Sequence, residues 1–152
     1  MPKGLATFYQ LAIDCHDAAK LVEFWQPLLG YEVPAPPAPF DTWRDWYLSV
    51  GVPESEIDGD GTDRLVPADG QGVAIWFQPV PETKGVKNRL HLDLRASQGR
   101  AVSREQRRRE IEPVVARVQA AGGSLIRWTE EPEADHVYAV LADPEGNEFC
   151  VN

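Results

Sequence analysis

The feature that most restricts how this chain can fold is an internal repeat. Around one glycine the sequence runs Leu28-Leu29-Gly30-Tyr31-Glu32-Val33, and around another it runs Ala120-Ala121-Gly122-Gly123-Ser124-Leu125. Each is the apolar end of a helix, a glycine suited to the left-handed stop, and the start of a strand. Pro67-Ala68-Asp69-Gly70 precedes the last strand of one half, as Asp143-Pro144-Glu145-Gly146 precedes that of the other. The order is therefore strand, helix, strands, and then the same again, with the division near residue 82. One half alone would leave a sheet face uncovered, so a pair of halves is the physical use of the duplication.

The individual elements follow from local pattern. Residues 6–15 are rich in aliphatic and aromatic side chains and are expected as a strand. Asp17 is a good N-cap for a helix whose apolar positions Ala18, Leu21, Val22, Trp25, Leu28 and Leu29 follow the helical period. A proline run (Pro34, Pro36, Pro37, Pro39) reads as a semi-rigid connection, and Thr42 caps a short aromatic helix at about 42–50. The stretch from Pro53 to Asp69 is acidic and glycine-rich, and is expected as a solvated loop. Asp58-Gly59-Asp60-Gly61-Thr62 has the look of a calcium loop, but Asp63 stands where the sharp turn would need glycine. Gly72–Val80 is a strand with Ala74, Trp76 and Gln78 on one face and Ile75 and Phe77 on the other.

In the second half, Leu90–Arg95 alternates strictly. Three leucines are expected in a core, with His91, Asp93 and Arg95 sharing the opposite face. Ser103–Gly122 is a helix with a stripe at Ile111, Val114, Val115, Val118 and Ala121. Pro113 is expected either to kink it or to start its well-formed part. Arg104, Arg107, Arg108 and Arg109 interleave with Glu105, Glu110 and Glu112, the pattern of a solvated face. Ser124–Thr129, Val137–Ala142 and Asn147–Val151 complete the strands.

Net charge decides which partners to set aside. At −9, with a pI near 4.8, bulk electrostatics oppose binding to nucleic acid or an anionic membrane. No apolar run approaches the roughly 20 residues of a membrane span, and no signal-peptide layout is seen at the N-terminus. The two cysteines, Cys15 and Cys150, suit reduced thiols, so a cytoplasmic location is expected.

Three phrases then carry a family likeness. They are Phe24-Trp25-Gln26-Pro27-Leu28-Leu29-Gly30-Tyr31, Leu90-His91-Leu92-Asp93-Leu94, and Ala142-Asp143-Pro144-Glu145-Gly146-Asn147-Glu148-Phe149. Together they resemble the vicinal oxygen chelate superfamily. The run Phe77-Gln78-Pro79-Val80-Pro81-Glu82 followed by Lys87-Asn88-Arg89-Leu90-His91 resembles its glyoxalase-like branch. The resemblance implies an α+β fold of two tandem βαβββ modules, residues 1–82 and 83–152, forming one domain with helices outside. It implies a cupped mixed sheet that holds the site, and a homodimer.

The same resemblance implies where metal ligands would stand. First-strand positions fall on Gln10 and His91, and the last-strand position of the second module on Cys150, where a glutamate is usual. Its counterpart in the first module falls within Ala74–Gln78. With the carboxylates missing, the expectation is no resident metal, and if one binds, the ligands are His91, Cys150 and Gln10. His91 with Asp93 or Glu148 forms a candidate acid/base set. Trp76, Trp43 and Trp46 are candidates to stack on a flat ligand, with Gln78 and Gln10 to hydrogen-bond its edge. The expected function is small-molecule binding in the cup. The alternative is a lyase, isomerase or dehydratase that uses His91 and a carboxylate, with a divalent metal where one binds.

Overall fold

A computed structural model describes residues 8–57 and 61–152. The chain divides between Pro81 and Glu82 into two compact units, each built around its own four-stranded mixed sheet. The acidic Asp58 and Asp60 of the calcium-like stretch lie outside the described residues.

The first unit contains β1 (Gln10–Cys15), α1 (Ala18–Leu29), β2 (Tyr31–Glu32), α2 (Trp43–Ser49), β3 (Arg64–Pro67) and β4 (Ala74–Pro79). Its strand order is β1-β4-β3-β2, with β1 parallel to β4 and the other pairs antiparallel. The Asp17 carboxylate accepts from the Lys20 amide at 3.0 Å, and Gly30 ends α1 at φ 67°. Leu21, Val22, Phe24 and Trp25 bury the inner face of α1, and Leu65, Ile75 and Phe77 are buried on the sheet. Full burial of a Leu or Phe side chain contributes on the order of 1.5–3 kcal/mol, so these residues account for most of what holds the helix down. The Thr42 hydroxyl accepts from the Asp45 amide and caps α2, as its sequence suggests.

The second unit contains β5 (Leu92–Leu94), α3 (Arg104–Ala120), β6 (Ser124–Glu131), β7 (His136–Ala142) and β8 (Glu148–Val151). Its strand order is β5-β8-β7-β6, with β5 parallel to β8. This repeats the order of the first sheet strand for strand. Ile111, Val115 and Val118 of α3 are buried, as are Val137, Ala139 and Leu141 of β7 and Phe149 and Val151 of β8. Neither cysteine forms a disulfide.

Four expectations need correction. The segment 53–69 is not loop throughout, because Arg64–Pro67 is a strand between β4 and β2 that buries Leu65. The strand expected to carry His91 is only three residues long and begins after it at Leu92, and Leu90 is 79% exposed rather than in the core. Its length is set by pairing, since β8 offers partners only for Leu92–Leu94. The Arg107 side chain leaves the solvated helix face and is buried, held by the Asp135 carboxylate and by the Asp135 carbonyl at 3.0 Å. Finally, α3 starts at the Ser103 cap and runs through Pro113, which is exposed within the helix rather than at its first position.

Candidate functional site

In the second sheet, residues directly opposite one another share a face. Asp93 on β5 lies opposite Cys150 on β8, and Cys150 lies opposite Val140 on β7. His91 enters just before β5, with its Nε2 3.3 Å from the Asp93 carboxylate. One donor atom each from His91, Asp93 and Cys150 falls within 4.8 Å of the others. Three of the residues singled out in the sequence thus converge. The helix-packing residues Leu141, Phe149 and Val151 take the opposite face, which leaves this one open.

The group lies in a cavity of about 720 Å³. At its edge Lys87 pairs with Glu148, and the Glu148 amide donates to Asn88 Oδ1 at 3.2 Å, tying the segment before β5 to β8. The Lys87 hydrogen bond, helped by the charges of Lys87, Lys84 and Arg127, holds the Glu148 carboxyl below its usual 4.5. Glu148 is thus engaged by Lys87, while Asp93 lies 3.3 Å from His91 and is its better-placed partner. Burial, reinforced by the Asp93 charge, raises the Cys150 thiol above its usual 9.0. A raised thiol argues against a nucleophilic role.

The first unit has a cavity of its own, about 600 Å³, which Trp76, Gln78 and Tyr47 line. The Trp76 indole donates to the Asp63 carboxylate at 2.8 Å, and the Arg64 guanidinium lies 6.0 Å from its ring centre. Trp43 and Trp46 line neither of these two cavities. Trp43 donates to the Pro34 carbonyl at 2.9 Å and packs edge-on to Trp46, with ring centres 5.5 Å apart. Gly61 approaches so closely that a Cβ there would lie 2.4 Å from the Trp43 ring. Gln10 begins β1 opposite Ala74.

Sequence reasoning did not single out Arg127, Asp63 or the Arg107–Asp135 pair. Arg127 carries no local signal, because its orientation depends on a bulge.

Comparison with known proteins now fits this geometry. The model of the glyoxalase-like domain matches residues 10–152, and the chain belongs to that family, within the vicinal oxygen chelate superfamily. Among solved structures it resembles an enzyme of the glyoxalase/bleomycin resistance protein/dioxygenase family from Burkholderia phytofirmans PsJN. That likeness has 21% identity and a TM-score of 0.58, and covers 97% of this chain and 98% of the other. It also resembles a variant of the fosfomycin resistance protein FosX from Listeria monocytogenes, complexed with Mn(II) and a dihydroxypropylphosphonic acid. There the identity is 12% and the TM-score 0.57, with 99% of this chain and 90% of that one covered. At these identities the likeness establishes the fold. No curated protein sequence matches the chain. Among the described residues, no helix is long and apolar enough to cross a membrane.

A divalent metal is implied by the fold, and the donor set accommodates one. An imidazole, a carboxylate and a thiol meet in one unit, three donor types that zinc accepts. The carboxylate of this group stands on β5 at Asp93, and the β8 position carries the Cys150 thiol. Soft thiolate and imidazole donors suit zinc better than manganese, which prefers oxygen.

Proposed function

We propose that this protein binds a small organic molecule against the open sheet face of its second unit, with His91, Asp93 and Cys150 as the chemically active floor. The observation that carries this reading is the convergence of those three side chains inside a cavity of about 720 Å³, a usual size for a small-molecule site. Trp76 and Gln78 offer a second, less charged surface in the cavity of the first unit. Trp43 and Trp46 serve instead to seat α2 against Pro34. We place the protein in the cytoplasm, where reduced thiols persist, and take it as a homodimer from its family resemblance.

A second reading has its own support. His91 within 3.3 Å of Asp93 is a competent acid/base pair, and the same residues would hold a divalent ion. Such an ion supplies Lewis-acid polarisation of a substrate oxygen. In that case the protein is a lyase, isomerase or dehydratase.

Metal analysis of protein purified without chelator or affinity tag, together with a ligand screen on the wild type, His91→Ala and Trp76→Ala, separates the two. Binding without turnover that weakens in His91→Ala supports the binder. Turnover of a carbonyl or cyclic substrate that disappears in His91→Ala supports the enzyme. If no ligand response changes in either variant, the reading fails.

A further inference from the structure

The cavity of the second unit carries the opposite charge balance from the chain around it. The protein has 15 Lys and Arg against 24 Asp and Glu. Yet this cavity gathers Lys87, Arg95, Arg100, Arg107 and Arg127 against three carboxylates. Each carboxylate already has a partner: Glu148 has Lys87, Asp135 has Arg107, and Asp93 has His91. Among the described residues, Arg95, Arg100 and Arg127 have no carboxylate within 4.0 Å.

Arg127 is aimed at this face by an irregularity in β6. Leu125 lies opposite Leu141, but the next paired residue, opposite Val140, is Arg127 rather than Ile126. The extra residue is a β-bulge at Ile126, which is exposed. Without it Arg127 would fall opposite Ala139 and face the helix. With it Arg127 joins a row across all four strands: Asp93, Cys150, Val140, Arg127. Bulges commonly re-aim a side chain beside a binding site. Strands lie about 4.8 Å apart, so the row measures roughly 14 Å between its outer backbones. An arginine reaches far enough back over that distance to leave room for a molecule of a few heavy atoms above Val140.

We propose that Arg127 is the anion-binding residue of this site, and that the ligand is a small organic acid. Its carboxylate or phosphonate group sits on the Arg127 guanidinium, and its other end reaches His91, Asp93 and Cys150. Arg95 and Arg100 deepen the positive field at the same cavity. The Arg95 guanidinium lies against Gly99, and Arg100 is fixed by the Ala134 carbonyl at 3.2 Å. This assignment rests on the small-molecule reading above and adds the class of ligand.

The test is an NMR titration of the full chain with malonate, phosphonoacetate and the neutral malonamide at low ionic strength. Malonate or phosphonoacetate is expected to shift the Arg127 Nε–H and Val140 amide signals, and malonamide to bind at least about tenfold more weakly. Preference between the two acids tells carboxylate from phosphonate. Arg127→Gln is expected to weaken acid binding about tenfold or more and to leave malonamide unchanged, with Arg127→Lys recovering part of the loss. Suppose malonamide perturbs His91 and Cys150 as strongly as malonate does, and Arg127→Gln alters neither. The site then stands, and the acid assignment falls. If none of the three perturbs the cavity, both readings fall. Shifts spread over arginines across the surface would reduce the effect to bulk charge and overturn the assignment.

Discussion

The turn that leads into β8 offers the sharpest test of how the site is held. Asp143 is 3% exposed, and its Oδ1 accepts from the amides of Glu145 and Asn147, both at 2.9 Å. The Asn147 side chain donates to both carboxylate oxygens, at 3.1 and 2.9 Å. The tight reversal also needs Gly146, whose φ is 87°. In Asp143→Ala two main-chain N–H groups lose their acceptor. Hydrogen bonds to a charged group are worth about 1.5–3 kcal/mol each, and the turn is open enough for water to replace part of that. The expected cost is therefore about 2–4 kcal/mol. Asp143→Asn keeps one acceptor oxygen but points an amide at the Asn147 amide, so about half that loss is expected. Urea unfolding of the full chain, followed by circular dichroism at constant m-value, measures both. A loss under about 0.5 kcal/mol for Asp143→Ala, the size of an ordinary surface change, would refute the reasoning.

Three further outcomes follow from the same geometry. The Asp93 charge helps raise the Cys150 thiol, so Asp93→Asn should lower it and speed alkylation by iodoacetamide at neutral pH in the presence of EDTA. Cys15 is buried, so native-state labelling reads Cys150, and an unchanged rate would leave burial as the sole cause. The Glu148 pKa is lower folded than unfolded. Its stabilising contribution is thus fully present above the ordinary value of 4.5 and fades as pH falls through the lowered one. Lys87→Met should raise that titration point, seen by NMR of the Glu148 carboxyl, and its stability deficit relative to wild type should shrink in acid. Zinc titrated into metal-free protein should bind more weakly in His91→Ala and in Asp93→Ala, by about tenfold or more; equal affinity in Asp93→Ala would remove that residue from the ligand set.

Much of the fold was readable because its signals are local. Asp17, Gly30 and Thr42 mark helix ends by chemistry that acts within one turn, and each does so in the structure. The repeat in sequence became a repeat in strand order. What was not readable depends on partners distant in the chain. Arg64–Pro67 begins with arginine and ends with proline inside an acidic stretch, and its pairing with β4 on one side and β2 on the other makes it a strand. Arg107 looked like its neighbours until Asp135, with its φ of 51°, turned back to meet it. His91 and Asp93 could be placed on one face by alternation alone. Their meeting with Cys150 required the parallel pairing of β5 with β8, and the aim of Arg127 required a bulge that no short-range pattern announces.

The register of β4 also lets the two units be aligned position by position. If Gln10 corresponds to His91, then Ala12 corresponds to Asp93, and the residue opposite Ala12 corresponds to Cys150. That residue is Trp76. Where the second unit has a carboxylate beside a thiol, the first has a methyl group beside an indole that can only donate. The two units share one strand order, and the first has no metal-ligating side chain at Ala12 or Trp76. The His91–Asp93–Cys150 group and the arginines Arg95, Arg100 and Arg127 all belong to the second unit. A single substitution at Asp93 or Arg127 should therefore affect more of the function than any change in the corresponding row of the first unit.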